Sequence, residues 1–168
     1  VSDLEIRTSP EDNDERSMFF VRGVIETVKK LRWEPALVHC SGWISALAPL
    51  YLKRHYQEDP SFRAAKVIYA LYDDEFEQPL DPRMIEKLKM DEFADDDLKA
   101  ILDGPIDHKA MSRLAMDYAD GIVVASAKAD PELIEYASST GKPLLEYPGE
   151  DDNVQAYADF YNTVLGEE

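Results

Sequence analysis

The sequence predicts an α/β fold, a Rossmann-like doubly wound parallel sheet, on three observations. Four short runs, Ala36–Cys40, Lys66–Tyr72, Gly121–Ser126 and Pro143–Tyr147, are continuously apolar rather than alternating, as parallel strands covered on both faces require. Segments of helical length and helical apolar spacing separate them. The resulting order of helix, strand, helix, strand, helices, strand, helix, strand, helix is the connectivity that right-handed crossovers impose on a parallel sheet. At 168 residues the chain suits one domain, 1–168, large enough to bury about two-thirds of the surface of its unfolded form.

The elements follow in order. Asp14 to Leu31 carries Phe19, Phe20, Val24, Ile25 and Val28 on one stripe and reads as a helix. The first strand, Ala36–Cys40, is expected to be buried and to run through Ser41-Gly42 into a helix over Trp43 to Tyr56. After the second strand the chain turns acidic and proline-punctuated, with short helix signals at Asp81-Pro82 and Asp95-Asp96-Asp97. This stretch, 73–107, reads as an excursion over the sheet, either a flap lining a cleft or a solvated insertion. Pro131 to Thr140 opens on proline and closes on Gly141, the usual asymmetry of helix start and stop. Val154, Tyr157, Ala158, Tyr161 and Leu165 recur at helical spacing in a last helix that should pack back on the domain.

Charge narrows the partners. Thirty-five acidic against eighteen basic residues give a formal net charge of −17, which repels polyphosphate and anionic lipid. Lys29-Lys30-Leu31-Arg32 and Lys53-Arg54-His55 are short and read as helix-terminal charges. Nucleic acid and membrane are therefore not expected partners, whereas a neutral polymer such as a glucan meets no such repulsion. No apolar run approaches the ~20 residues of a membrane span, nothing resembles a signal peptide, and the lone Cys40 sits in an apolar strand as a small hydrophobe would. A cytoplasmic protein is expected, with a trimmed start because the first residue is Val1.

Open parallel sheets bind ligands outside the carboxyl ends of their strands. The candidate substrate-binding residues are therefore His39, Ser41, Gly42 and Trp43 at the first strand's exit and Tyr72 and Asp73 at the second's. Each also has a bland reading. His39 can be a neutral core histidine, Ser41 a helix cap, Gly42 a turn residue and Trp43 helix packing. Asp73-Asp74-Glu75 could hold Mg²⁺, but in so acidic a chain chance clustering explains it, and no metal site is expected. His55 and His108 lack partner ligands at metal spacing, and no Ser-His-Asp or Cys-His constellation is visible, so no catalytic residue is assigned.

Three segments in order carry a resemblance. Asn13, Arg16, Phe19, Phe20 and Arg22 are similar to an Asp-Asn-x-x-Arg-Phe-x-x-Phe-x-Arg helix. Pro35, Val38, His39, Trp43, Ala46, Leu47, Pro49, Tyr51 and Leu52 match Pro-Asp-hydrophobic-hydrophobic-His-x-His-Asp-Trp-x-x-Ala-Leu-x-Pro-x-Tyr-Leu. Leu114 to Ser126 is similar to a Tyr-Ala-Asp-x-Val-x-Thr-Val-Ser segment. Together they resemble the glycogen and starch synthase family. The resemblance implies one half of a two-domain GT-B glycosyltransferase that passes glucose from ADP-glucose to an α-1,4-glucan, without a cofactor or an essential metal. This chain resembles the later part of the amino-terminal, acceptor-side half, with nucleotide sugar contacted through segments elsewhere and homo- or hetero-oligomers open. It departs from the family where Ser41 and Gly42 replace the second His and the Asp of the motif, and where Ala70-Leu71-Tyr72-Asp73-Asp74 replaces a Thr-x-His-Asn turn. Those departures leave a second reading open, a non-catalytic relative that binds glucan or assembles with another protein.

Overall fold

The computed structural model describes residues 13–73, 79–151 and 153–166. Its centre is a four-stranded, wholly parallel sheet of β1 (Leu37–Ser41), β2 (Lys66–Leu71), β3 (Gly121–Val124) and β4 (Leu144–Leu145), in spatial order β1-β2-β3-β4. The helices are α1 (Asn13–Lys30), α2 (Ala48–Leu50), α3 (Met84–Met90), α4 (Lys99–Leu102), α5 (His108–Tyr118), α6 (Pro131–Ser139) and α7 (Val154–Leu165). The doubly wound parallel arrangement expected from the apolar runs is thus present, with strands in the four expected places.

Side chains alternate across the sheet. Cys40, Val67, Tyr69, Leu71, Ile122 and Val124 point to the face covered by α1 to α6, where most of the core lies. Ile68, Ala70 and Val123 point to the other face, covered by Phe160 and Val164 of α7. The approach there is close. A Cβ on Gly121 would lie 2.7 Å from Val164 Cγ2 and 3.1 Å from Phe160 Cζ, so only glycine lets the helix sit this low on β3.

Asp120 clamps the amino-terminal edge of the sheet. Its N–H donates to Val67 O at 2.7 Å, its Oδ2 accepts the Val67 N–H at 2.8 Å, and the same oxygen meets Lys53 Nζ at 2.5 Å. The clamp fixes the start of β3 against the start of β2. At the far end of α5, Lys142 Nζ donates to the carbonyls of Met116 and Asp117, both at 2.6 Å. A cation there satisfies carbonyls that the helix leaves open and complements its dipole, although burial lowers the pKa of Lys142.

Three expectations need correction. β1 is not buried on both faces. It is an edge strand in which only Cys40 is buried while His39 and Ser41 are exposed, because no described strand pairs with its other side. The helix expected over Trp43 to Tyr56 is broken into a 3-10 turn at Trp43–Ser45, the three residues of α2, and a wide turn at Tyr51–His55 closed by Tyr56 N–H to Tyr51 O. Pro49 has no N–H to give, and Ser45 Oγ takes the Ser41 and Gly42 carbonyls at 2.8 and 3.1 Å. The described part of the excursion is neither flap nor solvated loop. Leu80, Met84, Leu88, Leu98 and Ile101 are buried in the main core, and Lys87 of α3 pairs with Asp14 of α1 at 2.8 Å.

Candidate functional site

The parallel register places the candidates. Ser41 pairs with Ala70 and His39 with Ile68, so Ser41 and the β2 exit residues Tyr72 and Asp73 share the carboxyl edge. Tyr72 is 43% exposed and Asp73 is exposed beside it. The rest of the acidic cluster, Asp74 and Glu75, lies outside the described residues. Among the described residues no group of His, Cys, Asp and Glu could hold a metal ion.

Two candidates sit differently from a ligand contact. The Trp43 ring is buried in the core at 4% exposure and presents no platform to solvent. Gly42 occupies φ 73°, a conformation that favours glycine, and its N–H already donates to Ala70 O at 3.3 Å. That amide extends the sheet and is not aimed at a ligand. Nor does a long helix begin here: Gly42 precedes only a three-residue 3-10 turn without a side-chain cap, so little helix-dipole field stands at this junction. Ser41 does not cap it. Its carbonyl accepts Ser45 Oγ and its side chain stays at the exposed rim.

His39 gains neighbours that local sequence could not supply. Its Nδ1 lies 2.8 Å from Tyr161 Oη. The Tyr161 ring stands edge-on at 5.9 Å, and the Tyr157 ring lies 6.4 Å away. Tyr157 and Tyr161 were legible as an i, i+4 pair on a packing face, but nothing in their spacing pointed to β1. The rim thus offers an imidazole, a serine hydroxyl, a carboxylate and phenols from two elements. Such groups hydrogen-bond sugar hydroxyls and stack on sugar faces, but they form no nucleophile–base pair. Cys40 adds no reactivity, since burial pushes its thiol up to about 12.

Partial shelter under the tyrosines lowers the His39 pKa by desolvation. The folded state therefore binds this proton less readily than the unfolded chain, where histidine titrates near ~6.5. The stabilising contribution is complete above that pH and is lost as pH falls through it toward the lower folded value. An NMR titration should give His39 a midpoint below ~6.5, and Tyr157→Ala should raise it. A midpoint unmoved by that substitution would show that the ring does not shelter the imidazole.

Against known proteins, the family model of the starch synthase catalytic domain matches residues 4–145. Similar curated proteins include the glycogen synthase of Chlorobium luteolum, 31% identical over 93 residues, or 55% of this chain and 19% of that protein. That of Chlorobium phaeovibrioides is 28% identical over 121 residues, 68% of this chain and 25% of the relative. That of Chlorobium chlorochromatii is 40% identical over 58 residues, 34% and 12% respectively. The chain spans a quarter or less of the length of these relatives. Among the described residues no helix is long and apolar enough to cross a membrane. The matched segment contains all four strands, the β1 exit and the Asp120 clamp, and by this match the chain belongs to the starch synthase catalytic domain family.

Proposed function

We propose that this chain is the acceptor-side portion of a glycogen- or starch-synthase-type glucosyltransferase, moving glucose from ADP-glucose to the end of an α-1,4-glucan. The family match over residues 4–145 carries the reading, and the rim of His39, Ser41, Tyr72 and Asp73 supports it as a place for a neutral sugar. The donor nucleotide is contacted through other segments of the full protein. The partners are then a glucan and a nucleotide sugar, with no cofactor.

One observation favours a second reading. Ser41 and Tyr72 stand where the resembled family carries histidines, and neither reproduces an imidazole near neutral pH. A glucan-binding module without transfer chemistry fits those two positions. Radiolabelled ADP-glucose and glycogen, incubated with the protein from its complete natural reading frame, separate the two. Label in the polymer is the expected result. No label, with maltoheptaose still bound, overturns the catalytic reading in favour of the binding one.

A further inference from the structure

The sheet face under α7 ends, at the carboxyl rim, in a cluster of partly exposed aromatic rings. Leu37, Ile68, Ala70 and Val123 share that face, and alternation along the strands sets His39, Ser41 and Tyr72 on it as well. Phe160 and Val164 are the buried anchors of α7. Beside them Tyr157 and Tyr161, one turn apart and half-buried, place their ring centroids 6.4 and 5.9 Å from that of His39 and 6.0 Å from each other. Burial pushes both phenols up, and the Tyr72 phenol adds to the shift of each, as only a close neighbour can. Tyr72 therefore closes the cluster from the end of β2.

Packing does not require these hydroxyls. Tyr161 uses its own on His39 Nδ1, whereas the Tyr72 and Tyr157 hydroxyls find no hydrogen-bond partner among the described residues. The patch is also uncharged, in a chain of net charge −17. Among the described residues no carboxylate contributes to the shifts of Tyr157 and Tyr161, while Glu150 and Asp151 act only on Tyr147 at its border. Partly exposed rings that carry hydroxyls suit a neutral ligand with apolar faces and a polar edge, which describes a sugar ring.

Ring orientation selects the linkage. The planes of Tyr157 and Tyr161 stand at 60°, and those of His39 and Tyr161 at 86°. A β-1,4-glucan is a flat ribbon that meets coplanar rings, whereas an α-1,4-glucan turns each residue against the last and meets rings that are themselves turned. Tyr157 and Tyr161 lie beyond residues 4–145, which the family model matches, so the family pattern does not supply them. We propose that His39, Tyr72, Tyr157 and Tyr161 form a stacking subsite that holds an α-1,4-glucan chain on the α7 side of the rim. The choice of glucan rests on the function proposed above, and the site rests on the rings.

The test titrates maltoheptaose into the protein from its complete natural reading frame and follows the tyrosine and histidine ring signals by NMR. Cellohexaose and hexa-arginine are the comparisons. The Tyr72, Tyr157, Tyr161 and His39 signals should shift together with maltoheptaose, intermolecular nuclear Overhauser contacts should join sugar protons to the two α7 rings, and cellohexaose should do neither. Tyr157→Ala should weaken maltoheptaose binding by about tenfold. Tyr157→Phe keeps the ring and should weaken it by no more than about threefold. The contacts in the unsubstituted protein decide the matter if Tyr157→Ala fails to fold. No binding of maltoheptaose, binding that leaves these rings unshifted, or equal binding of cellohexaose overturns the proposal. So does hexa-arginine bound to the rings in place of the sugar, which would make the cluster a cation–π site. Label transferred to glycogen while the rings stay silent sinks this inference and leaves the proposed function standing. Rings that shift with maltoheptaose in a protein that transfers no label sink the catalytic reading and leave this one.

Discussion

Lys87→Met is expected to lower the stability of the chain by about 2–3 kcal/mol, because it strands a buried carboxylate. Asp14 is 1% exposed in the first turn of α1, and Lys87 Nζ meets its Oδ2 at 2.8 Å with 27% of the lysine side chain accessible. The same nitrogen reaches Glu15 at 2.8 Å on the surface, a contact that solvent screens and that contributes little. The Asp14 contact dominates, since removing one partner of a buried pair costs more than removing both. Asp14→Asn combined with Lys87→Met should therefore recover most of the loss in urea unfolding. If Lys87→Met alone leaves the urea midpoint where it was, α3 is not tied to α1 by this pair. The substitution also asks whether the acidic stretch after β2 is an integral layer, because α3 should loosen while β1 and β2 stay protected from exchange.

That layer shows where sequence reading stops. The strands were legible because each is a continuous apolar run, and Cys40 was legible as a core thiol for the same reason. An apolar run does not say whether a second neighbour exists, however, and β1 proved to be the edge. In the excursion, Leu80, Met84, Leu88 and Leu98 are spaced among acids and prolines, so net polarity hid a set of buried contacts. The segment over Trp43 to Tyr56 reads as one helix and its apolar residues are buried, but Pro49 and the Ser45 hydroxyl interrupt the ladder. At the site, local reasoning put His39, Ser41, Tyr72 and Asp73 at one edge because parallel strands align their ends. It also offered Gly42 and Trp43, whose amide and ring are taken up by the sheet and the core. Tyr161 lies 122 residues from His39, a contact that no local pattern encodes. Much of the motif that carried the resemblance, Trp43, Leu47, Tyr51 and Leu52, is core packing. This explains how the family pattern can persist while Ser41 and Tyr72 differ.

Gly121→Ala should destabilise the protein by about 2 kcal/mol, the scale of overpacking a close contact, and should act through α7. The added methyl would stand 2.7 Å from Val164 Cγ2 and 3.1 Å from Phe160 Cζ. Valine is stiff at χ1, so Val164 cannot swing clear as a long side chain could, and the helix must rise from β3. α7 also holds Tyr157 and Tyr161 against His39, and lifting it should weaken the Tyr161 contact at the distant rim. The His39 ring signals should therefore shift in Gly121→Ala even though the substitution lies on β3, with β2 between it and the strand that carries His39. Val164→Ala removes the clashing Cγ2 at the expense of a small cavity. In the double variant the two losses should fall short of their sum by about 1 kcal/mol or more, because the residues share one contact. Additive losses in that cycle, or His39 signals that stay in place when β3 is overpacked, would mean that α7 does not couple the β3 surface to the rim.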